Sequence, residues 1–141
     1  MPECIFCSII SGDIPSSKVY EDEDVMAFMD INPANPGHTL VVPKRHYRNL
    51  FDVDEEVAAK VMRVATRIVK AIKKALNPDG VNLFQASEKA AFQTVFHFHV
   101  HLIPRWEGDD LVEPWKPKKG DMEEIGRIAE KIKGYLSSVE R

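Results

Sequence analysis

The strongest constraint on the fold is the alternation in residues 96–103, FHFHVHLI, where histidines occupy three successive odd positions. Successive side chains of a β-strand point to opposite faces. The imidazoles therefore share one face of the predicted strand; they are His97, His99 and His101. The apolar face, which suits packing against a helix, consists of Phe98, Val100 and Leu102. We expect the imidazole face to look into a cleft or toward a partner.

A row of imidazoles admits three uses. Burial in a core is unfavourable, because each ring needs partners for both of its nitrogens. Alternate side chains lie ~6.6 Å apart along a strand and can converge on one metal ion. Alternatively, one ring attacks an anionic centre while its neighbours donate hydrogen bonds. The amide of Gln93 and the hydroxyl of Thr94 lie just upstream and can donate hydrogen bonds to an anion. The strand also lacks a carboxylate that could serve as a base. Attack on an anionic centre is therefore favoured over a three-histidine metal hydrolase.

The remaining pattern predicts an α+β fold, with an antiparallel five-stranded sheet and one long helix packed on it. The predicted strands are 18–21, 25–30, 39–42, 81–85 and the histidine strand, which ends near residue 104. The long helix, 54–76, carries an apolar stripe made of Val57, Val61, Val64, Ile68, Ile72 and Leu76. A short helix is predicted at 4–11. A last helix is predicted from about Met122, with an apolar side made of Ile125, Ile128, Ile132 and Leu136. Strands paired by short turns favour this class over a doubly wound sheet.

The overall composition limits the class of protein. A chain of 141 residues with 44% hydrophobic and 29% charged residues is typical of one globular domain, predicted to span 1–141. We place its core at about 4–105 and a helix-bearing extension at 106–141. The net charge of −3 argues against sequence-specific nucleic-acid binding, and no apolar run is long enough to span a membrane. Only two cysteines occur, which favours a cytoplasmic location.

The two cysteines form the pattern Cys4-Ile5-Phe6-Cys7. A redox pair of the thioredoxin type would need a βαβ context, which the pattern of elements does not provide. The thiols could also be inert packing groups. As a third possibility they form half of a zinc site, since thiolates at i and i+3 can share an ion that takes two more nitrogen or sulfur ligands.

Residues 93–103, QTVFHFHVHLI, resemble the signature of the histidine-triad (HIT) family, in which Gln precedes a His-x-His-x-His pattern followed by apolar residues. Segments 30–33 and 37–46 resemble two further landmarks of that family, in the expected order. The resemblance extends over about 4–105 and is greatest to the Hint-like branch. It implies nucleotide hydrolases or nucleotidyl transferases, built as homodimers whose two sheets join into one continuous sheet.

The resemblance also implies roles for individual residues. His99 would attack the α-phosphorus of a nucleotide and form a nucleotidyl-histidine that water hydrolyses. His101 would contact the phosphate or the leaving group, with His38 behind it, and Gln93 and Thr94 would bind the α-phosphate. Asp30 would bind the ribose. The apolar wall around the base would consist of Ile5, Phe6, Ile9, Phe28 and Ile31. No cofactor would be needed for this chemistry.

In relatives with an N-terminal Cys-x-x-Cys, two histidines complete a structural zinc site. Carried over, the four zinc ligands are Cys4, Cys7, His46 and His97. Four protein ligands leave no open position on the ion, so this Zn²⁺ would be structural and not catalytic. It would connect the N-terminal segment to the histidine strand.

The loop before the signature departs from the family pattern. Ala86 and Glu88 stand where Asn and Gly are common, and Phe92 stands where Gly is frequent. We expect one hydrogen bond near the phosphate to be lost and a negative charge to be added there. On this resemblance we predict a hydrolase of purine nucleoside phosphoramidates or related nucleotides. A dinucleoside polyphosphate hydrolase and a nucleotide-binding module with vestigial catalysis stay as alternatives. Trp106 and Trp115 suggest either a hydrophobic seal over the dimer or the partner's active site, or local packing.

Overall fold

The computed structural model describes residues 4–139. The five strands form one antiparallel sheet in the order β1-β2-β3-β5-β4, which confirms the predicted α+β class. The strands are β1 Lys18–Glu21, β2 Val25–Met29, β3 Thr39–Pro43, β4 Gly80–Phe84 and β5 Val100–Arg105. The helices are α1 Ile5–Ser11, α2 Glu55–Leu76 and α3 Met122–Val139, and a 3₁₀ turn covers Lys89–Ala91. The predicted strands 25–30, 39–42 and 81–85 therefore each differ from the observed bounds by one residue at one or both ends.

Helix α2 covers one face of the sheet. It begins after Asp54, whose carboxylate accepts a hydrogen bond from the Val57 amide at 3.2 Å, and ends at Asn77 in the left-handed conformation. Much of its predicted stripe is buried, in one core with the apolar side of the histidine segment. That core includes Val61, Val64, Ile68, Ile72, Phe98, Val100 and Leu102. The imidazoles are therefore excluded from this side, as the alternation predicted.

The histidine segment corrects one expectation, because the regular strand begins only at Val100 and not near His97. Val100 pairs with Val41 of β3. The same register would place Pro43 opposite Phe98, and proline has no N–H for the ladder. The Phe98 amide donates instead to the Tyr47 carbonyl at 2.7 Å. The alternation of faces persists through this irregular stretch, with Phe98 in the α2 core.

Helix α1 packs on the opposite face. Phe6 lies edge-on to Phe28, with ring centroids 5.4 Å apart, and edge-on to His99 at 4.9 Å. Cys4 caps the helix, since its Sγ accepts a hydrogen bond from the Cys7 amide at 3.2 Å. Packing of Phe6 thus brings both cysteines to the imidazole side of the sheet.

The loop before β3 depends on one glycine. Gly37 has φ +90°, and a Cβ there would lie 2.5 Å from Cδ1 of Leu76 and 3.0 Å from Cγ of Pro104. The backbone conformation favours glycine, and a Cβ would in addition force the Leu76 side chain to shift. This turn delivers the next residue, His38, into the buried start of β3.

The described chain divides into two compact units, one ending at Asp110 and the other beginning at Leu111. The second unit contains α3, and the apolar side predicted for this helix is largely exposed within it. These exposed residues include Ile125, Ile128, Ile132 and Leu136. The prediction of a single domain over 1–141 stays a prediction. Between residues 4 and 139, every helix is too short or too polar to cross a membrane.

Candidate active site

The three alternate histidines divide between two clusters. His97 lies with Cys4, Cys7 and His46, a set called here the thiol–imidazole cluster. His101 lies with Asp30 and His38, called here the imidazole–carboxylate cluster. His99 stands between them, with its ring centroid 4.8 Å from that of His101. Among the residues described, the three histidines are therefore not arranged around one ion, which argues against the three-histidine metal hydrolase.

The thiol–imidazole cluster has the dimensions of a tetrahedral zinc site. Nδ1 of His97 lies 3.1 Å from Nδ1 of His46, 3.4 Å from Sγ of Cys4 and 3.5 Å from Sγ of Cys7. Zinc bonds of ~2.05 Å to nitrogen and ~2.3 Å to sulfur, at tetrahedral angles, need separations of ~3.3 Å between nitrogens and ~3.6 Å between nitrogen and sulfur. The residues present therefore fit Zn²⁺.

The tautomer of His97 also suits a metal ligand. Its Nε2 lies 2.8 Å from the carbonyl oxygen of Pro43, which can only accept, so Nε2 carries the proton. Nδ1 then presents its lone pair to the cluster, and the carbonyl fixes the ring as a metal-bound histidine requires. Burial lowers the pKa of His97 to about 4 and raises that of Cys7 to about 11 in the metal-free site. A bound cation would displace the thiol protons.

Hydrogen bonds set the proton positions in the imidazole–carboxylate cluster. The Ala34 amide donates to Nδ1 of His38 at 3.0 Å, so the proton of neutral His38 is on Nε2. This Nε2 lies 2.9 Å from Nδ1 of His101 and 3.5 Å from a carboxylate oxygen of Asp30. His38 donates to His101, which leaves the proton of His101 on its own Nε2. Burial, with smaller contributions from His99 and His38, lowers the pKa of His101 to about 4.

His99 has its tautomer set by the backbone. Its Nδ1 lies 2.7 Å from the carbonyl oxygen of His97, so Nδ1 is the donor and Nε2 keeps a free lone pair. Burial lowers the pKa of His99, against the opposing hydrogen bond to His97 and the charge of Asp30. The ring is therefore neutral at pH 7. A neutral imidazole with a free nitrogen is a competent nucleophile.

Two cavities flank His99 and His101. The first cavity, of about 360 Å³, is lined by every residue predicted to bind the nucleoside. Those residues are Ile5, Phe6, Ile9, Phe28, Asp30 and Ile31. The second cavity, of about 270 Å³, is lined by apolar groups beside the imidazoles. These are Phe84, Ala86, Phe92 and Ile103. Thr94, His99 and His101 line both cavities, so a group bound to these three residues has access to each side.

Gln93, predicted to bind phosphate, has its amide fully engaged by the protein. Its Nε2 donates to the carbonyls of Arg48 and Val95 at 2.7 and 3.0 Å. Its Oε1 accepts from Asn49 Nδ2 at 3.1 Å and from the Glu88 amide at 2.7 Å. Gln93 thus holds the loop 86–92 against the segment around Arg48, and its phosphate contact stays a prediction. Thr94, by contrast, is exposed.

The charge that Glu88 was expected to add near the anion is neutralised. Arg48 donates to both carboxylate oxygens of Glu88, at 2.8 and 2.9 Å, and Asn49 donates at 2.7 Å. These hydrogen bonds lower the pKa of Glu88 to about 2. The Arg48 guanidinium also lies over the Phe96 ring, 4.4 Å from its centroid. Glu88 acts as a loop anchor in this structure and does not line either cavity.

Several cavity residues were missed from the sequence; in the first cavity they include Pro15, Met29, Asn32, Leu40 and Val95. Ile14 and Ser16 follow α1 and line the first cavity; no pattern in that irregular loop indicated them. Phe84 and Ile103 line the second cavity. Ile103 follows His101 by two positions and shares its face, so the alternation could have identified it. Phe84 pairs with His101 across β4 and β5, a register that the sequence did not define.

Comparisons with known proteins agree with this geometry. The family model for the HIT domain matches residues 11–108. SMU.412c from Streptococcus mutans has a crystal structure that is 46% identical, with a TM-score of 0.92, covering 96% of this chain and 87% of that one. The adenosine 5′-monophosphoramidase HNT1 of Saccharomyces cerevisiae is 38% identical, over 94% of this chain and 82% of its own length.

A zinc-bound histidine-triad protein bears on the thiol–imidazole cluster. The crystal structure of this Mycobacterium smegmatis protein is 42% identical to the chain, with a TM-score of 0.75 and 98% of each chain covered. The region that the HIT domain model matches contains the imidazole–carboxylate cluster and the whole lining of the second cavity. Cys4 and Cys7 precede it, as does the α1 part of the first cavity. The chain belongs to the HIT domain family, with homologues in its Hint-like branch.

Proposed function

We propose that this protein is a nucleotide hydrolase or nucleotidyl transferase that acts at the α-phosphate through a nucleotidyl-His99 intermediate. Purine nucleoside phosphoramidates are the proposed substrates. One observation carries the proposal: Nε2 of His99 is an unprotonated nitrogen on a neutral ring that lines both cavities. The similarity to a yeast adenosine 5′-monophosphoramidase supports the choice of substrate.

The nucleoside binds in the first cavity. Phe6 and Phe28 supply apolar surface for the base, and a wall of this kind discriminates weakly between purines. The Asp30 carboxylate is the acceptor for the ribose hydroxyls. The α-phosphate then lies beside Thr94, whose hydroxyl donates to a phosphate oxygen. His101 donates its Nε2 proton to the same group.

Binding of the anionic phosphate changes the protonation of the histidine pair. An anion beside His101 raises its pKa from about 4, because opposite charge favours the imidazolium. The pair of His38 and His101 therefore takes up one proton with the substrate. His99 Nε2 attacks phosphorus, the bond from phosphorus to the amine nitrogen breaks, and His101 gives its proton to that nitrogen. The amine leaves neutral.

The second step returns the proton. Water attacks the phosphorus of nucleotidyl-His99, and the bond from phosphorus to Nε2 breaks. The proton lost by water goes to the pair of His38 and His101, which again carries one extra proton until the nucleoside monophosphate departs. Asp30 faces this pair across 3.5 Å and stabilises its positive charge.

Zn²⁺ would be held by Cys4, Cys7, His46 and His97 and would supply structural stabilisation, since four ligands fill its coordination. This keeps α1 and the wall of the first cavity in place. Thiolate ligands suit the reducing cytoplasm, where we place the protein. We further propose the homodimer with a continuous sheet that the resemblance implies.

The proposal is tested by trapping the intermediate. The protein is mixed with an adenosine 5′-phosphoramidate and quenched within milliseconds to seconds, and intact mass and peptide mapping locate the adduct. We expect one adenylyl group on His99. His99→Ala should form no adduct and lose turnover by ~10⁴-fold or more, because it lacks the nucleophile. Adduct formation on another residue, or unchanged turnover in His99→Ala, would contradict the proposal.

A further inference from the structure

The second cavity lies where the departing group must be. His99, His101 and Thr94 line both cavities, so a phosphorus within reach of His99 has one substituent on each side. With the nucleoside beside Asp30 in the first cavity, the group that leaves occupies the second. This step rests on the proposed function.

The polar residues that line the second cavity are the three imidazoles, Thr94 and Gln93, whose amide is already engaged by the protein, and the rest of the lining is apolar. Phe84, Ala86, Phe92 and Ile103 line it, and none of its lining residues is a lysine or an arginine. The nearby Arg48 guanidinium is bound to the Glu88 carboxylate through two hydrogen bonds. The only positive charge that lines this cavity is the proton taken up by the pair of His38 and His101, and that charge faces the α-phosphate. The further negative charges of a polyphosphate leaving group would lose hydration without a cationic side chain to replace it, which is unfavourable.

Phe92 has a conformation and an exposure that core packing does not explain. Its φ is +72°, a left-handed conformation that aromatic residues rarely adopt. The residue is 83% exposed although it lines the second cavity. A large apolar group held in a strained conformation beside a nucleophile, with little protein against it, is available to contact a ligand.

Ala86 contributes in a different way. It is buried, at 6% exposure, and lines the second cavity at a position where the family commonly has an amide side chain. Its methyl group cannot hydrogen-bond to a charged or polar substituent. Ala86 thus removes a polar contact, and Phe92 adds an apolar one, in the same 270 Å³ space.

We infer that the second cavity selects an apolar leaving group, an alkyl or aryl amine bonded to the α-phosphorus, and that Phe92 and Ala86 determine this preference. The bond from phosphorus to the amine nitrogen breaks as the bond to His99 forms, and the amine departs with the proton of His101. Amines that carry a carboxylate, and polyphosphates, are disfavoured because the cavity offers no lysine or arginine for a second negative charge, and the proton on the pair of His38 and His101 already serves the α-phosphate.

The test compares three substrates with the same nucleoside: the hexylamine and 6-aminohexanoate phosphoramidates of adenosine monophosphate, and diadenosine tetraphosphate. The two amines have similar length and differ in a terminal carboxylate. We expect kcat/KM for the hexylamine substrate to exceed that of each charged substrate by about tenfold or more, the scale of small differences in apolar pockets.

Variants at position 92 assign the effect. Phe92→Gly and Phe92→Asn both tolerate the left-handed backbone and remove the ring. In each variant the ratio of kcat/KM for the hexylamine substrate to that for a charged substrate, the hexylamine preference, should fall by about fivefold or more, toward that of a non-selective site. Phe92→Leu should keep most of it. Phe51→Asn is the matched control, since Phe51 is 84% exposed and lines neither cavity; its preference should equal that of the wild type.

The outcomes separate the two claims. Equal turnover of all three substrates by the wild type, or faster turnover of diadenosine tetraphosphate, overturns the apolar selection and leaves the proposed function standing. A preference that survives in Phe92→Gly and Phe92→Asn overturns the assignment to Phe92. If the folded wild type turns over none of the three substrates, the proposed function is overturned, and this inference with it.

Discussion

The two ends of one short histidine segment have opposite chemistry. At its first end, His97 meets two thiols and a second imidazole, a closed set with the spacing of a tetrahedral metal site. At the other end, His101 meets His38 and Asp30 beside an open cavity. The residue type and spacing are the same, so the neighbours decide the role. Sulfur ligands make one end a candidate for holding an ion. A hydrogen-bonded imidazole with a carboxylate beside it makes the other a candidate for moving a proton.

The largest expected effect concerns the His101 end. His101→Asn removes the proton donor to the leaving group, so turnover of an adenosine phosphoramidate should fall by about 10²–10⁴-fold. Zinc content and the free energy of unfolding should stay close to those of the wild type, since His97 and its cluster are untouched. Metal analysis, urea unfolding and steady-state kinetics on one preparation measure all three. Loss of zinc in this variant would erase the distinction between the two ends.

The reciprocal change comes next. Cys4→Ser keeps a side chain that caps α1 well but replaces a thiolate ligand with a hydroxyl. Zinc should be lost, and the free energy of unfolding should fall by about 4 kcal/mol, a magnitude typical of losing a metal site. Residual turnover at low temperature should stay within roughly a hundredfold of the wild type, because His99 and His101 remain. Full zinc occupancy in Cys4→Ser would contradict the assigned ligand set.

The smallest expected effect is on the pH dependence of stability. The pKa of His101 is lowered to about 4 in the folded protein, against about 6.5 in the unfolded chain. Between these values only the unfolded chain binds the proton, so this group's contribution to stability is lost as the pH falls from 6.5 toward 4. In His101→Asn the loss of unfolding free energy between pH 7 and 4.5 should be smaller by on the order of 1 kcal/mol. Parallel curves for variant and wild type would show that His101 is not held neutral by the fold.

The sequence predicted the elements well where one physical pattern dominates. The apolar stripe of α2 and its start after Asp54 are local features of helix geometry, and the structure confirms them. The histidine strand was predicted too early because its first residues face Pro43, an obstacle that depends on strand pairing. Glu88 was expected to oppose an anion, but a long-range pairing with Arg48 neutralises it. Such pairings join positions 40 residues apart and leave no local signal.

By itself, the sequence determined which side chains share a face, because the alternation of a strand and the period of a helix are properties of the local backbone. It therefore placed the imidazoles together and opposite the α2 core. Only the tertiary structure decided what each imidazole does. The contacts of His97 with the cysteines, of His38 with His101, and of Phe92 with the second cavity arise where separate segments meet. Those contacts set the tautomers, the pKa values and the polarity of the cavities, since each depends on atoms brought together by folding.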